Sequence, residues 1–208
     1  MTYNSLRDQI ISYLNRSDLA TLNQIPNFIS QAEQRIARES KNIGLEVYIE
    51  DNFTTGDPFL QKPELWRRNL SLICKTGENF QDSKQLYLRS YEFIKQYWPN
   101  EDERGEPLYY ADYGYRQLIV CPTPVLDYPY QYCYLALPQP LSTTNQKNWL
   151  TDYAPDVILY ASLLEAMGFL KNDERIEVWK GYYSAALQSL NTQDDMRLLD
   201  RASNRMAD

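Results

Sequence analysis

Pro26-Asn-Phe-Ile-Ser-Gln-Ala-Glu-Gln-Arg-Ile36 and Leu45-Glu-Val-Tyr-Ile49 lie close together in the chain and obey different periods. In the first, Phe28, Ile29, Ala32 and Ile36 recur at helical spacing, while Gln31, Glu33, Gln34 and Arg35 fill the opposite face. Proline suits the first helical position, where no N–H is needed, so this helix is expected to open at Pro26. In the second, apolar residues recur at every other position, the period of a strand. The junction between them divides the fold.

On its N-terminal side, Leu6, Ile10, Ile11 and Leu14 predict another amphipathic helix, with Ser5 and Asp8 spaced like a loose capping box. Asn15-Arg-Ser-Asp18 supplies turn chemistry that ends it. On the other side, Thr55-Gly-Asp-Pro58 and Thr76-Gly-Glu-Asn79 read as turns, and Leu70–Lys75 and Gln85–Arg89 flank the second like hairpin arms. Ser90–Trp98 predicts a short helix stopped by Pro99, and Asn100–Glu106 a polar loop. Tyr109–Tyr113 and Tyr115–Val120 form a second hairpin candidate, and in Tyr130–Leu137 the tyrosines at 130, 132 and 134 alternate with Gln131, Cys133 and Leu135.

Past Pro138 and Pro140 the helical period returns. Pro155 opens a helix with Val157, Ile158, Ala161, Leu164 and Leu170 inward, and Ile176, Trp179, Tyr183, Ala186, Leu187 and Leu190 stripe another. The expected class is α+β: a helical bundle of two N-terminal and two C-terminal helices with a central β-rich insertion. The segments run 1–44, 45–140 and 141–190, followed by an extended or partner-ordered tail, 191–208, too poor in apolar residues to stay ordered alone.

Composition narrows the chemistry. The 208 residues carry a net charge of −7, the wrong sign for gripping nucleic acid over a wide surface. Histidine is absent, which removes the commonest general base and metal ligand and every Ser-His or Cys-His nucleophile pair. The three cysteines, Cys74, Cys121 and Cys133, contain no C-x-x-C pair and suit a reducing compartment as small buried hydrophobes. Glycines stand singly, so no phosphate-cradling loop exists. Glu101-Asp-Glu103 lacks the spacing and glycine of a calcium loop. No catalytic residue, metal or cofactor is expected. Val157–Leu170 is too short to span a bilayer and contains Glu165, and no signal peptide is visible, so the expected place of synthesis is the cytoplasm, with no membrane partner.

The excess is tyrosine, 18 residues. Tyrosines on alternating strand positions can pack sheet faces, anchor protein interfaces or stack on sugars. The last option, with the many carboxylates, keeps a carbohydrate-binding module or a histidine-free glycosidase in view, although no acid pair identifies itself.

The order of short motifs adds a resemblance. Thr2-Tyr-Asn-Ser-Leu6, Ser17-Asp-Leu19, Ile25-Pro-Asn-Phe-Ile29 and Ala32-Glu-Gln-Arg-Ile36 open the series. Arg89-Ser-Tyr-Glu92, Tyr97-Trp-Pro-Asn100, Tyr109-Tyr-Ala-Asp-Tyr113 and Pro122-Thr-Pro124 continue it. Asn148-Trp-Leu150, Ala154-Pro-Asp156, Leu163-Leu-Glu-Ala166, Phe169-Leu-Lys-Asn-Asp-Glu-Arg175 and Trp179 close it. Over nearly its whole length the chain resembles the head-to-tail adaptor (connector) proteins of tailed bacteriophages.

The resemblance implies a structural virion protein of the neck, between capsid and tail. Such proteins form a ring, usually twelvefold, under the portal protein, continue the channel through which double-stranded DNA passes, and seat the next neck or tail protein. A net negative wall would let DNA slide without specific binding. The net charge disfavours self-association in dilute solution, so a monomer that assembles on the portal is expected. Ring closure needs two complementary patches. The candidates are the Tyr/Trp-rich insertion (Trp98, Tyr109, Tyr110, Tyr113, Tyr115) and the outer faces of the helices. C-terminal segments of such adaptors commonly reach towards the portal, which makes Arg197, Leu198, Leu199, Arg201 and Arg205 the candidate portal contacts. Deleting residues 192–208 is then expected to abolish docking and spare the thermal melt. A stopper or tail-completion protein of the same neck is the nearest alternative.

Overall fold

The computed structural model describes residues 1–40, 45–170 and 175–203, with side chains as far as Arg197. It is a mixed α+β structure whose helices are α1 (Tyr3–Leu14), α2 (Leu19–Glu39), α3 (Tyr91–Tyr97), α4 (Trp149–Tyr153), α5 (Pro155–Leu170) and α6 (Ile176–Ser203). The chain divides into two compact units, one built from residues 1–45 and 137 onward, the other from Glu46–Ala136.

In the helical unit, α1 is capped three residues earlier than the sequence suggested, at Thr2 in place of Ser5. The Thr2 hydroxyl accepts from Ser5 N–H and the Ser5 hydroxyl from Thr2 N–H, a reciprocal cap that leaves Asp8 outside it. The second helix begins at Leu19, not Pro26. The Asp18 carboxylate caps it by accepting from Thr21 N–H at 2.9 Å, and Pro26 sits exposed within the helix, where it donates no hydrogen bond to the preceding turn. The core is centred on α5, whose Val157, Ile158, Ala161, Leu163 and Ala166 are buried against Leu6, Ile10, Ile25, Ile29 and Ile36 and against Trp179, Tyr183 and Leu190. α2 and α6 both pack on α5.

Polar groups fix these helices in register. Arg35 bonds Glu165 at 2.5 Å, and the Tyr183 hydroxyl donates to Glu39 at 2.7 Å. Glu33, expected on the face opposite the apolar stripe, is instead buried, because it accepts from Leu141 N–H at 3.1 Å and Asn148 Nδ2 at 2.7 Å. Asn148 also caps α4, accepting from Thr151 N–H at 3.2 Å, so one buried carboxylate holds the returning chain. Burial pushes the Glu33 carboxyl up to about 7, against the two hydrogen bonds that favour its charge. α6 continues past Leu190 to Ser203, through the stretch expected to be extended or ordered by a partner, and Asp194 on it is buried.

The second unit is a curled sheet ordered β1-β9-β3-β4-β6-β7-β2. Its strands are β1 (Glu46–Asn52), β2 (Phe59–Gln61), β3 (Trp66–Thr76), β4 (Asp82–Leu88), β6 (Tyr109–Asp112), β7 (Gln117–Cys121) and β9 (Pro129–Ala136); β5 (Arg104–Gly105) and β8 (Thr123–Pro124) pair separately. Both expected hairpins form, β3 with β4 and β6 with β7, each antiparallel. The first turns at Gly77, whose φ of +79° is open to glycine without strain. β4 and β6 run parallel, a pairing the local sequence does not announce. Tyr130, Tyr132 and Tyr134 all point inward with Leu72, Cys74, Leu86, Leu118 and Val120, so the alternating tyrosines are core. Cys74, Cys121 and Cys133 are buried, and burial raises the first two thiols to about 12.

Candidate interaction surfaces

The outer side of the β unit carries an aromatic platform. β4 and β6 bring Tyr87 directly opposite Tyr109, with ring centroids 6.2 Å apart. α3 then crosses that face. Ser90 caps it by accepting from Phe93 N–H at 3.2 Å, and Ile94 anchors it against Ala111, Ile119 and Cys121. The anchor sets Phe93 5.4 Å from Tyr109, while Trp98, just past the helix, lies 5.5 Å from the same ring. Tyr97 completes the group, 4.6 Å from Phe93. On the other flank of α3, Tyr91 meets Tyr113 at 5.5 Å, and Tyr113 meets Phe59 at 4.8 Å.

Arg89 stands among these rings, its guanidinium 5.6 Å from Phe93, 5.7 Å from Tyr109 and 5.9 Å from Tyr87. It forms no ion pair among the described residues, unlike Lys95, which binds Glu101 and is thereby held protonated. Tyr87, Tyr97 and Arg89 are exposed. Exposed aromatic rings around an unpaired guanidinium are the composition of protein-interface hot spots, because rigid rings lose little entropy when buried and the cation is weakly hydrated.

The five aromatic residues singled out from sequence therefore separate. Trp98 and Tyr109 meet in the platform, and Tyr113 lies on its flank. Tyr115 is 92% exposed in the β6–β7 turn and touches none of the platform rings. Tyr110 is a correction: its side chain alternates to the inner face and is 2% exposed, so it belongs to the core and offers no surface. Arg89 was missed, although its position between Tyr87, Tyr91 and Phe93 was a usable signal.

In the helical unit, Arg197 is exposed on α6. Leu198, Leu199 and Arg201 belong to the same helix, their side chains outside the described residues, and Arg205 lies outside them entirely. Because Asp194 is buried, a truncation at 192 would remove packing as well as the tail. No group of His, Cys, Asp or Glu among the described residues is arranged to hold a metal, and no helix among them is long and apolar enough to cross a membrane.

The family model described as SU10 adaptor protein matches residues 1–207. No curated protein matches the chain.

Proposed function

The chain belongs to the SU10 adaptor protein family, and on that premise we propose that it is a head-to-tail adaptor of a bacteriophage virion. Copies close a ring under the portal, twelvefold to match it, extend the DNA channel and seat the next neck or tail protein. The helical unit acts as a bundle that builds the ring, and the β unit as an insertion that offers the Arg89 platform to a neighbouring protein. The C-terminal end of α6, with Arg197 and Arg201, reaches the portal. The net charge of −7 per copy keeps the channel wall from binding the phosphate backbone, so DNA passes without specific contacts. The protein has a scaffolding role and no catalytic one.

The match over residues 1–207 carries this reading, and the exposed aromatic-arginine platform supports a role in protein contacts. The test is complementation. Capsids produced without this protein are expected to fill with DNA yet fail to join tails, and adding the purified protein restores joining. Tail joining at the normal rate without the protein overturns the proposal.

A further inference from the structure

Two helices of this charged chain have long stretches without charge. No Asp, Glu, Lys or Arg occurs from Leu19 to Ala32 or from Gly181 to Gln193, although such residues make up 24% of the sequence. On α2 the exposed positions Ala20, Asn23, Asn27, Ser30 and Gln34 repeat at alternating spacings of three and four. On α6 the exposed positions Val178, Tyr182, Ala185, Ser189, Thr192 and Met196 do the same. That spacing lines residues along one side of a helix and is the spacing of a helix–helix seam. The inward seams of both helices are already filled: Ile25, Phe28, Ile29 and Ile36 on α2, Trp179, Tyr183 and Leu190 on α6. The outward ones are additional.

We propose that these two faces are the complementary halves of the contact between neighbouring copies, the α6 face of one copy packing on the α2 face of the next. This rests on the ring reading and names the surfaces that close the ring.

Charge selects the occupant. Copies carrying −7 each repel, so a self-contact is cheapest where both surfaces are neutral and no ion must be desolvated unpaired. Depletion of charge also marks the centres of protein interfaces. The chemistry matches: Asn23, Asn27 and Ser30 can exchange hydrogen bonds with Ser189 and Thr192, while Ala20 and Ala185 allow close approach. The α6 stripe spans about 27 Å and that on α2 about 21 Å, at 1.5 Å per residue, so they can run alongside each other for several turns. Because the halves sit on different helices, the contact is head-to-tail and propagates into a ring instead of stopping at a dimer.

The experiment uses two variants of the full chain, Asn23→Lys/Asn27→Lys on α2 and Ala185→Glu/Ser189→Glu on α6, mixed with portal and followed by native mass spectrometry. All four positions are exposed, so melting temperatures should match the wild type; if one variant melts early, Gln34→Lys or Thr192→Glu replaces it. Each variant alone is expected to lose about tenfold or more of its assembled fraction, since a charge is buried against a neutral face. The equimolar mixture recovers, as lysine faces then meet glutamate faces in alternating order. Wild-type rings with both variants assembling normally overturn the inference and leave the ring standing. Loss confined to the α6 variant, without rescue in the mixture, overturns the pairing. Failure of the wild type to form a ring on the portal overturns the ring reading, and this inference with it.

Discussion

Replacing Glu33 by glutamine tests the buried clamp of the helical unit. Glu33 is 5% exposed, and burial raises its carboxyl from 4.5 to about 7 in the folded protein. Between those values the native state binds the proton more tightly than the unfolded chain. Stability therefore falls as pH rises through the window, and the ionised clamp costs the fold about 3 kcal/mol once fully deprotonated. From about pH 5.5 to about pH 8.5, Glu33 accounts for a loss of about 2 kcal/mol. Glutamine keeps the shape and one acceptor oxygen for Leu141 N–H and Asn148 Nδ2 but carries no charge. Urea unfolding at the two pH values should show the wild type losing about 2 kcal/mol more than Glu33→Gln over that interval. Parallel pH dependences for the two proteins would refute the reasoning, because they would mean that Glu33 is not the group whose burial is being titrated.

Three further outcomes are expected. Asn148→Ala removes the α4 cap and one partner of Glu33, and should lower unfolding free energy by about 1–2 kcal/mol at neutral pH, measured by denaturant titration. Arg89→Glu alters an exposed side chain, so the melt should stay within about 0.5 kcal/mol of wild type, while binding of the neighbouring neck protein falls, read by biolayer interferometry. Removing residues 198–208 keeps the buried Asp194 in place and should abolish portal co-sedimentation with little change in melting temperature; undiminished docking excludes the end of α6 as the contact.

What could be read from the sequence was what depends on neighbours in the chain. The periods of Leu6–Leu14, Phe28–Ile36 and Trp179–Leu190 announce helices because an apolar stripe must face a core whatever lies opposite. The two hairpins were legible because their arms are joined by short turns. Pro26 misled because a preference for the first helical turn competes with a stronger signal, the Asp18 cap, and the packing of α2 on α5 carries the helix through Pro26 despite the lost hydrogen bond and the crowding of its ring against the preceding turn. The parallel pairing of β4 with β6 was hidden, being set by contacts between segments distant in sequence. That pairing makes the platform: it alone puts Tyr87 beside Tyr109 and encloses Arg89. For the same reason Tyr110 and Tyr109, neighbours in the chain, went to opposite faces with opposite roles, and only knowledge of which face the sheet curls around separates core from surface.

In the proposed role this protein is an adaptor that becomes a ring on its portal. The mass of the assembly, measured by native mass spectrometry for the protein alone and after mixing with portal, tests it most directly. The expected result is a monomer that converts to one ring per portal, with twelve copies in register with it. A mass unchanged by the portal would contradict the claim, and a stable ring in its absence would contradict assembly on the portal as a template.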